Sequence, residues 1–346
     1  MKMRSKTFQA PGGATLSFSE LGFGAAPIGN LYAAMPNEQA EATLDAAWAD
    51  GIRYYDTAPL YGLGLSETRL NRFLRGKPRG DYLISTKVGR LMRVCPPEQR
   101  TRIGAFFDVP SRSEEFDYTY DGVMRSLEFS LERLGLDQID ILLVHDLDVF
   151  THGSPEVRDG HIATLMNKSS GGYKALTSLR DQKLVKAIGA GVNETAACEL
   201  LLAQGEFDLF LLAGRYTLLE QAALETFLPL CQKRGVGVIG AGIFNSGILA
   251  SGAKPGAWYN YSPAPQDVLD RVAGLEKVCA SHDVKLVEAA LRFPLMHPSI
   301  VTAIPGASSP EQIALNSRTL AASIPAALWS DLKAKSFVRQ DAPITT

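Results

Sequence analysis

Apolar and polar positions follow one another along the chain in short alternating blocks. Blocks such as 139–145 and 207–213 are almost entirely apolar, a pattern typical of strands buried on both faces of a parallel sheet. Eight strands are predicted on this basis, at 21–24, 53–58, 82–88, 139–145, 185–191, 207–213, 235–241 and 299–304.

Amphipathic segments separate these strands. Residues 37–50 and 117–134 each place apolar side chains on one face at helical spacing, and each is followed by a glycine, Gly51 and Gly135, as expected at helix ends. Helices are predicted at 37–50, 66–75, 117–134, 172–182, 194–204, 220–233, 266–281 and 310–321.

Strict alternation of eight strands with eight helices favours a closed (β/α)8 barrel over an open sheet. No GxGxxG turn follows the first strand, which argues against a doubly wound dinucleotide-binding fold. We expect one domain over 1–346, with a short β-hairpin at 7–18 against the barrel floor. The connections 89–116, 146–170 and 243–265 are long, and each follows a strand, so all three should lie at the C-terminal mouth.

Composition narrows the classes of function. The 346 residues are 46% hydrophobic, enough for a large core, and the net charge of −2 does not favour a nucleic-acid or membrane-surface partner. No secretory signal or stretch of about 20 apolar residues is evident. The four cysteines form no CxxC pair, so we expect no metal site and no disulfide framework, and a cytoplasmic location.

Candidate chemistry lies where three successive strands end. Asp56, Lys87 and His145 are the polar residues at the ends of predicted strands, and Tyr61 follows Asp56 by five positions. Neighbouring strands lie about 4.8 Å apart, so these side chains can touch at the mouth of a barrel.

The combination of these four residues suggests acid–base chemistry. A tyrosine has a pKa of about 10, and an adjacent ammonium is expected to lower it, while the aspartate aims the lysine and the histidine orients a substrate oxygen. Each residue alone also has a structural interpretation, as a helix cap, an ion-pair member or a core histidine. Their joint occurrence favours a proton-transfer site.

The chain resembles the aldo-keto reductases in motifs spread along nearly its whole length. These are the segments 55–62, 85–87, 143–145, 188–193 and 304–312. The resemblance implies a (β/α)8 barrel that transfers hydride between a nicotinamide cofactor and a carbonyl or alcohol. It also implies Tyr61 as the general acid–base, Lys87 as its partner, Asp56 as the residue orienting Lys87, and His145 as the residue positioning the substrate oxygen.

The same resemblance implies a set of cofactor-binding residues in the loops after strands five to eight. Segment 304–316, taken alone, also reads as a capped helix start. In this family, members that prefer NADP usually have a lysine or arginine in this segment, which binds the 2′-phosphate. Because 306–312 contains neither residue, we expect NAD as the cofactor, with NADP as the alternative. The implied residues are Asn193, Tyr216, Gly242, Ile243, Phe244, Gly247, Gly306, Ser308, Ser309, Gln312 and Asn316.

Segments 25–32 and 211–221 are similar to the sugar-dehydrogenase branch of the family. The expected reaction is oxidation of a cyclic hemiacetal, such as L-fucose or a D-threo-aldose, to its lactone. The alternatives are oxidation of pyridoxal to 4-pyridoxolactone and NADPH-dependent aldehyde reduction. A cofactor-binding regulatory subunit is disfavoured, and the sequence does not distinguish a monomer from a homo-oligomer.

Aromatic and polar side chains in the long loops could contact a small-molecule substrate. Phe107, His152 and Trp258 are the predicted pocket residues, and Asp148 and Arg215 are further polar candidates for a sugar. The other interpretation of the loop aromatics is that they anchor their own loops.

Overall fold

The computed structural model describes residues 3–101 and 105–344. Its strands are β1 (Ser5–Gln9), β2 (Thr15–Ser19), β3 (Phe23–Gly24), β4 (Tyr54–Asp56), β5 (Leu83–Val88), β6 (Arg90–Val94), β7 (Arg112–Phe116), β8 (Ile141–His145), β9 (Ala187–Val192), β10 (Leu209–Ala213), β11 (Gly237–Ala241), β12 (Trp258–Tyr259), β13 (Ser262–Pro263) and β14 (Ile300–Ile304).

The helices lie between and after these strands. They are α1 (Asn37–Ala49), α2 (Leu65–Leu74), α3 (Tyr120–Leu134), α4 (Val149–His152), α5 (Pro155–Leu165), α6 (Gly172–Asp181), α7 (Thr195–Gln204), α8 (Phe227–Arg234), α9 (Ile248–Ser251), α10 (Gln266–Ala280), α11 (Leu286–Leu295), α12 (Pro310–Ala321) and α13 (Ala326–Ala334). Short 3-10 turns occupy Pro27–Gly29, Arg79–Asp81, Pro97–Gln99 and Ala222–Leu224.

Eight strands form a parallel sheet in the order β3-β4-β5-β8-β9-β10-β11-β14 within the described residues. Parallel bridges between Leu21 and Ala303 and between Gly24 and Gly306 join the first strand to the last, which closes the sheet. The predicted (β/α)8 barrel is therefore confirmed, and each of the eight predicted strands overlaps one barrel strand. Because all the strands run parallel, their carboxyl ends meet at one mouth.

The floor of the barrel is closed by the hairpin β1–β2, where the sequence predicts one. β2 sends Leu16 and Phe18 into the barrel interior, where Phe18 meets Tyr54 edge-on with ring centroids 5.0 Å apart. Interior-facing side chains of the barrel strands, including Leu143 and Ile239, complete this apolar cluster. A second and larger apolar core lies between the barrel and the surrounding helices.

Each predicted helix has a counterpart, but the chain contains further elements that were not predicted. The segment 220–233 begins its helix only at Phe227, after a 3-10 turn. The long connections contain the hairpins β6–β7 and β12–β13 and the helices α4, α5 and α9, while α11 and α13 were also missed. In α11 the internal Pro294 weakens the helical signal.

No helix in the described part of the chain is long and apolar enough to cross a membrane.

Candidate active site

The four residues predicted to form the acid–base site lie together at the barrel mouth. Asp56 and His145 end β4 and β8, Lys87 lies one residue before the end of β5, and Tyr61 follows β4. Because β4, β5 and β8 are neighbours in the sheet, the side chains enter the same end of the barrel. The Tyr61 and His145 rings meet edge-on, with centroids 6.0 Å apart.

Lys87 is the centre of this group. Its Nζ donates to Asp56 Oδ2 and to the Thr57 carbonyl, each at 2.8 Å, and to the Tyr61 hydroxyl at 3.2 Å. The side chains of Lys87 and Asp56 are each 1% exposed, and a buried charge is tolerated only when it is paired and hydrogen-bonded. These three acceptors satisfy all three ammonium donors.

Gly191 on β9 leaves room for Lys87. A Cβ at Gly191 would lie 3.1 Å from Lys87 Cε, so a larger residue would push the ammonium away from its acceptors. Gly191 lies in the segment 188–193 that resembles the aldo-keto reductases, but its contact with Lys87 is visible only in the structure.

A close backbone contact holds Tyr61 in place. Gly62 has a φ of +65°, and a Cβ there would lie 2.3 Å from the carbonyl oxygen of Gly29, so a glycine is required in this turn. The Tyr61 ring also stacks on Phe106, with centroids 6.4 Å apart. Backbone packing on one side and an aromatic contact thus fix the phenol beside Lys87.

The pKa of the Tyr61 phenol is well above its usual value. Burial raises this pKa most, Asp56 and Asp146 raise it further, and Arg90 opposes them. The net lowering that the sequence predicts is therefore not found in the free protein, because desolvation of the phenolate dominates the pKa. At neutral pH the phenol of the free protein keeps its proton.

His145 is a neutral imidazole. Burial, and after it the positive charges of Lys87 and Arg90, hold its pKa well below the usual range. Its Nε2 lies 3.3 Å from Asp146 Oδ2, and its Nδ1 is buried without a hydrogen-bond partner among the described residues. A neutral ring of this kind supplies one N–H donor.

An ion-paired cluster that sequence analysis missed borders His145. Arg90 on β6 pairs with Asp146 through NH1 and with Glu114 on β7 through Nε. Burial raises the pKa of Asp146 to about 6, against the opposing effect of Arg90. No pattern in 89–116 predicts this pairing, because it depends on the hairpin β6–β7.

Ser85 and Tyr54 support Asp56 from below. Ser85 Oγ donates to Asp56 Oδ1 at 2.7 Å and lies 2.8 Å from the Tyr54 hydroxyl. Burial raises the pKa of Asp56, while Lys87 and Ser85 act in the opposite direction. Both residues could have been found, because alternate positions of a strand share a face: Tyr54 precedes Asp56 by two residues, and Ser85 precedes Lys87 by two.

Asn193, a predicted cofactor residue, lies just after β9 and is held by Asp148. Its backbone N–H and its Nδ2 both donate to Asp148 Oδ2, at 2.7 and 3.1 Å. Asp148 is fully buried and also accepts from the Thr151 N–H at 2.9 Å. Asp148 is therefore a support for Asn193, which corrects its earlier interpretation as a sugar contact.

The loop after β11 contains four predicted cofactor residues in two environments. Gly242 is exposed at the strand end and Gly247 is half-buried, with open space where a Cβ would be. Ile243 is buried, and Phe244 packs against the core. The two glycines therefore leave exposed backbone in this loop, whereas the two side chains pack into the core.

The start of α12 lies beside that loop, because Ala241 pairs with Ile304. Gly306 is exposed, and Ser309 caps α12 by accepting from the Gln312 N–H. The Gln312 side chain accepts from the Ser308 N–H at 2.8 Å, and Asn316 is half-buried further along the helix. An exposed glycine before a capped helix N-terminus fits a phosphate-bearing ligand.

Tyr216 is a buried side chain packed against other aromatic rings. It is 3% exposed, and its ring packs against Phe293 and His297 at centroid distances of 5.2 and 5.4 Å. Since the structure gives Tyr216 a packing role, we do not include it among the residues proposed to hold a cofactor.

Two of the three predicted pocket residues lie on the rim of the mouth. Phe107 and Trp258 are 49% and 47% exposed. Trp258 packs against Tyr32, which lies between β3 and α1, with ring centroids 6.5 Å apart. Phe150 packs against Tyr261, with ring centroids 5.6 Å apart. These pairs form an aromatic rim contributed by several loops.

His152, the third predicted pocket residue, lies behind His145. Its Nε2 is 3.3 Å from the Tyr118 hydroxyl, which donates to the His145 carbonyl at 2.9 Å. Its ring also packs against His161 and Phe116, with centroids 4.2 and 4.8 Å apart. The His152 imidazole is therefore occupied by packing and hydrogen-bonding contacts behind His145, and we do not propose it as a substrate contact.

Comparison with known proteins connects this geometry to a family. The model of the Aldo/keto reductase family matches residues 20–336. The chain belongs to this family.

Two relatives are similar to this aldo-keto reductase over nearly its whole length. D-threo-aldose 1-dehydrogenase from Pseudomonas sp. is 41% identical and covers 95% of this chain and 97% of its own. Pyridoxal 4-dehydrogenase from Microbacterium luteolum is 40% identical and covers 98% and 100%. The resemblance noted in the sequence is thereby confirmed, and the protein is an oxidoreductase enzyme with a small-molecule substrate.

A solved structure shows the same fold. The holo form of an aldo-keto reductase from Bacillus halodurans superposes with a TM-score of 0.71 at 24% identity and covers 97% of each chain. Aldo-keto reductases bind nicotinamide cofactors.

Proposed function

We propose that this aldo-keto reductase oxidises a cyclic hemiacetal, of the L-fucose or D-threo-aldose type, to its lactone with NAD. The observation that carries the proposal is the partly buried contact of 3.2 Å between Lys87 Nζ and the Tyr61 hydroxyl, at the mouth of a barrel. A relative named for dehydrogenation of an aldose at carbon 1 supports the choice of substrate.

The loops of the mouth offer a fitting place for a nicotinamide cofactor. Asn193 would hold the nicotinamide end, the loop Gly242–Gly247 the pyrophosphate, and Gly306 with the start of α12 the adenosine end. Exposed backbone at Gly242 and Gly306 permits close approach of a ligand, and the capped helix terminus favours an anion. When bound, such a cofactor would supply the hydride acceptor.

The proton is handled by Tyr61 and its neighbours. In the direction of oxidation, the Tyr61 phenolate would accept the proton of the anomeric hydroxyl, and Lys87, held by Asp56, would stabilise that phenolate until the proton is transferred. His145, as a neutral donor, orients the substrate oxygen. Since burial raises the pKa of Tyr61, the phenol is a strong proton acceptor once it is ionised.

The charge around the start of α12 favours NAD over NADP. Residues 306–317 contain no lysine or arginine, and Glu311 lies in the first turn of α12. The Glu311 carboxylate would repel a 2′-phosphate but accept hydrogen bonds from the ribose hydroxyls of NAD.

Pyridoxal is the second candidate substrate. It also forms a cyclic hemiacetal, and the aromatic rim that includes Phe107 and Trp258 suits a flat ring. A relative named pyridoxal 4-dehydrogenase, 40% identical to this chain, specifically favours this alternative. NADPH-dependent aldehyde reduction is the third candidate.

A direct assay separates these candidates. Purified protein is supplied with NAD or NADP and with L-fucose, D-arabinose, L-galactose or pyridoxal, and reduced cofactor is followed by absorbance. The proposal predicts faster turnover with NAD and at least one sugar than with NADPH and a simple aldehyde. Equal inactivity with all four compounds would contradict a hemiacetal dehydrogenase, and activity with pyridoxal alone would select the second candidate.

A further inference from the structure

We propose that Asp146, held by Arg90, is a specificity-determining residue that accepts a hydrogen bond from the substrate hydroxyl next to the reacting carbon. In an aldose this is the C2 hydroxyl. The inference rests on the proposed function and identifies the substrate class more closely, as a hemiacetal with a free hydroxyl on the neighbouring carbon.

The position of Asp146 beside His145 is the first argument. Asp146 Oδ2 lies 3.3 Å from His145 Nε2, the residue assigned to the reacting oxygen. Its negative charge also raises the pKa of the Tyr61 phenol and that of Tyr261 on the rim. A substrate oxygen between Tyr61 and His145 therefore places its neighbouring hydroxyl within reach of this carboxylate.

The unused oxygen of the carboxylate is the second argument. Arg90 and His145 both approach Oδ2, and no donor among residues 3–101 and 105–344 meets Oδ1. The Asp146 side chain is 12% exposed, and Oδ1 is not shut off from solvent. A fixed carboxylate with one free oxygen at a site entrance is a ready acceptor for a hydroxyl group.

The backbone conformation and the ion pair with Arg90 both fix the position of the Asp146 carboxylate. Asp146 has a φ of +53°, a conformation that few non-glycine residues adopt. Its N–H donates to the Gly191 carbonyl at 2.8 Å, which fixes the turn, and Arg90 is itself anchored by Glu114. Preorganised groups of this kind discriminate among substrates, because leaving them unpaired costs affinity.

A pair of sugars that differ by one hydroxyl tests the inference. D-Arabinose and 2-deoxy-D-ribose differ only by the C2 hydroxyl, and kcat/KM for each is measured with NAD. The wild-type enzyme should prefer D-arabinose by about tenfold to a hundredfold, the range for hydrogen bonds to charged groups. If L-fucose proves the better substrate, L-fucose and its 2-deoxy form replace the pair.

Two variants and one control locate the preference at Asp146. Asp146→Asn keeps the shape and tolerates the positive φ, and Asp146→Gly removes the carboxylate at a φ that glycine adopts freely. Asp146→Gly should bring the ratio of the two kcat/KM values close to one, and Asp146→Asn, which keeps a neutral oxygen acceptor, should lower the ratio to an intermediate value. Glu115→Gln removes the same charge from the exposed pair with Arg93 on the same hairpin and should leave the ratio unchanged.

The outcomes separate this inference from the proposed function. A wild-type ratio of kcat/KM values near one would overturn the role of Asp146. An equal loss of kcat/KM on both sugars in the variants would also overturn it, because it would mean that Asp146 only positions His145. Absence of turnover with any sugar, while NAD still binds, would overturn the proposed function and this inference with it. Thermal unfolding of each variant confirms that the compared proteins are folded.

Discussion

The two ends of the barrel use the same strands for different purposes. At the floor, Phe18 and Tyr54 pack edge-on in an apolar cluster. At the mouth, the same strand β4 ends in Asp56, which forms a buried ion pair with Lys87. The floor is stabilised by burial of apolar surface, which requires no partner of fixed geometry, whereas the mouth contains charges that are tolerated only while they remain paired.

This difference indicates where function and stability are separable. Substitutions at the floor should change stability and leave the chemistry intact. Removal of the Tyr61 hydroxyl at the mouth should do the reverse, whereas breaking the Asp56–Lys87 pair should lower both activity and stability. Tyr54 and Ser85 lie on the boundary, because they connect the apolar cluster to Asp56 through hydrogen bonds of 2.8 and 2.7 Å.

Tyr61→Phe should have the largest effect and confine it to activity. Removing the phenolic oxygen deletes the proposed proton acceptor, and general acid–base catalysis contributes about 10²- to 10⁴-fold. The ring stays in place against Phe106, so the free energy of unfolding should change by only about 1 kcal/mol. The measurements are turnover and thermal unfolding, with cofactor binding as the control; near-normal turnover would mean that another group moves the proton.

Phe18→Ala should show the opposite pattern at the floor. Truncation of a buried phenylalanine typically costs about 3–5 kcal/mol, so the denaturation midpoint should fall clearly while kcat at a temperature where the variant is folded stays near the wild-type value. Phe107→Ala on the exposed rim is the matched control, with a stability change of about 0.5 kcal/mol or less. A large drop in kcat for Phe18→Ala would show that floor and mouth are coupled.

Ser85→Ala should affect both properties moderately, because it lies on the boundary. It removes a hydrogen bond to Asp56 and leaves the Tyr54 hydroxyl without its Ser85 partner. A hydrogen bond to a charged group is worth about 1.5–3 kcal/mol, which corresponds to about a tenfold to hundredfold loss if it appears in kcat. The pKa of Asp56 should rise further, since Ser85 lowers it. Tyr54→Phe is the companion variant, and an unchanged kcat in both would confine the site to the four mouth residues.

The direction of the reaction should determine its pH dependence. Because the pKa of Tyr61 is raised well above its usual value, the phenol is protonated at neutral pH. Oxidation requires the ionised form, so its rate should rise about tenfold per pH unit below that pKa, while reduction, which uses the protonated phenol, should be nearly flat. Parallel pH profiles of kcat in the two directions measure this, and identical profiles would contradict the assignment of Tyr61.

The difference between the two ends also explains what could be predicted from sequence. The strands were recognisable because several are runs of buried apolar residues and all alternate with helical segments. Asp56, Lys87 and His145 stood out because each is a titratable residue at the end of a strand. α5 was missed although Ser154 caps it and Pro155 opens it, signals of a helix start.

Contacts that depend on loop geometry left no such signal. The pairing of Arg90 with Asp146 joins residues 56 positions apart and exists only because the hairpin β6–β7 folds over the mouth. The net rise in the pKa of Tyr61 was likewise unpredictable, since it depends on desolvation and on charges such as Asp146 that the folded chain brings near the phenol. Adjacent strand ends can be inferred from periodicity, whereas burial and loop packing depend on the tertiary structure.

Glu311→Lys should give the smallest effect, at the outer edge of the mouth. Glu311 is exposed in the first turn of α12, and an exposed charge near a helix end is worth about 0.3–1 kcal/mol. Replacing it with a cation should lower KM for NADP about two- to fivefold relative to NAD, with kcat unchanged. Glu132→Lys, on the distant helix α3, controls for the change in net charge. Equal shifts of KM for NADP in both variants would mean that long-range charge, rather than contact at the start of α12, sets the cofactor preference. In that case the part of the mouth that contacts the cofactor would end at Gly306.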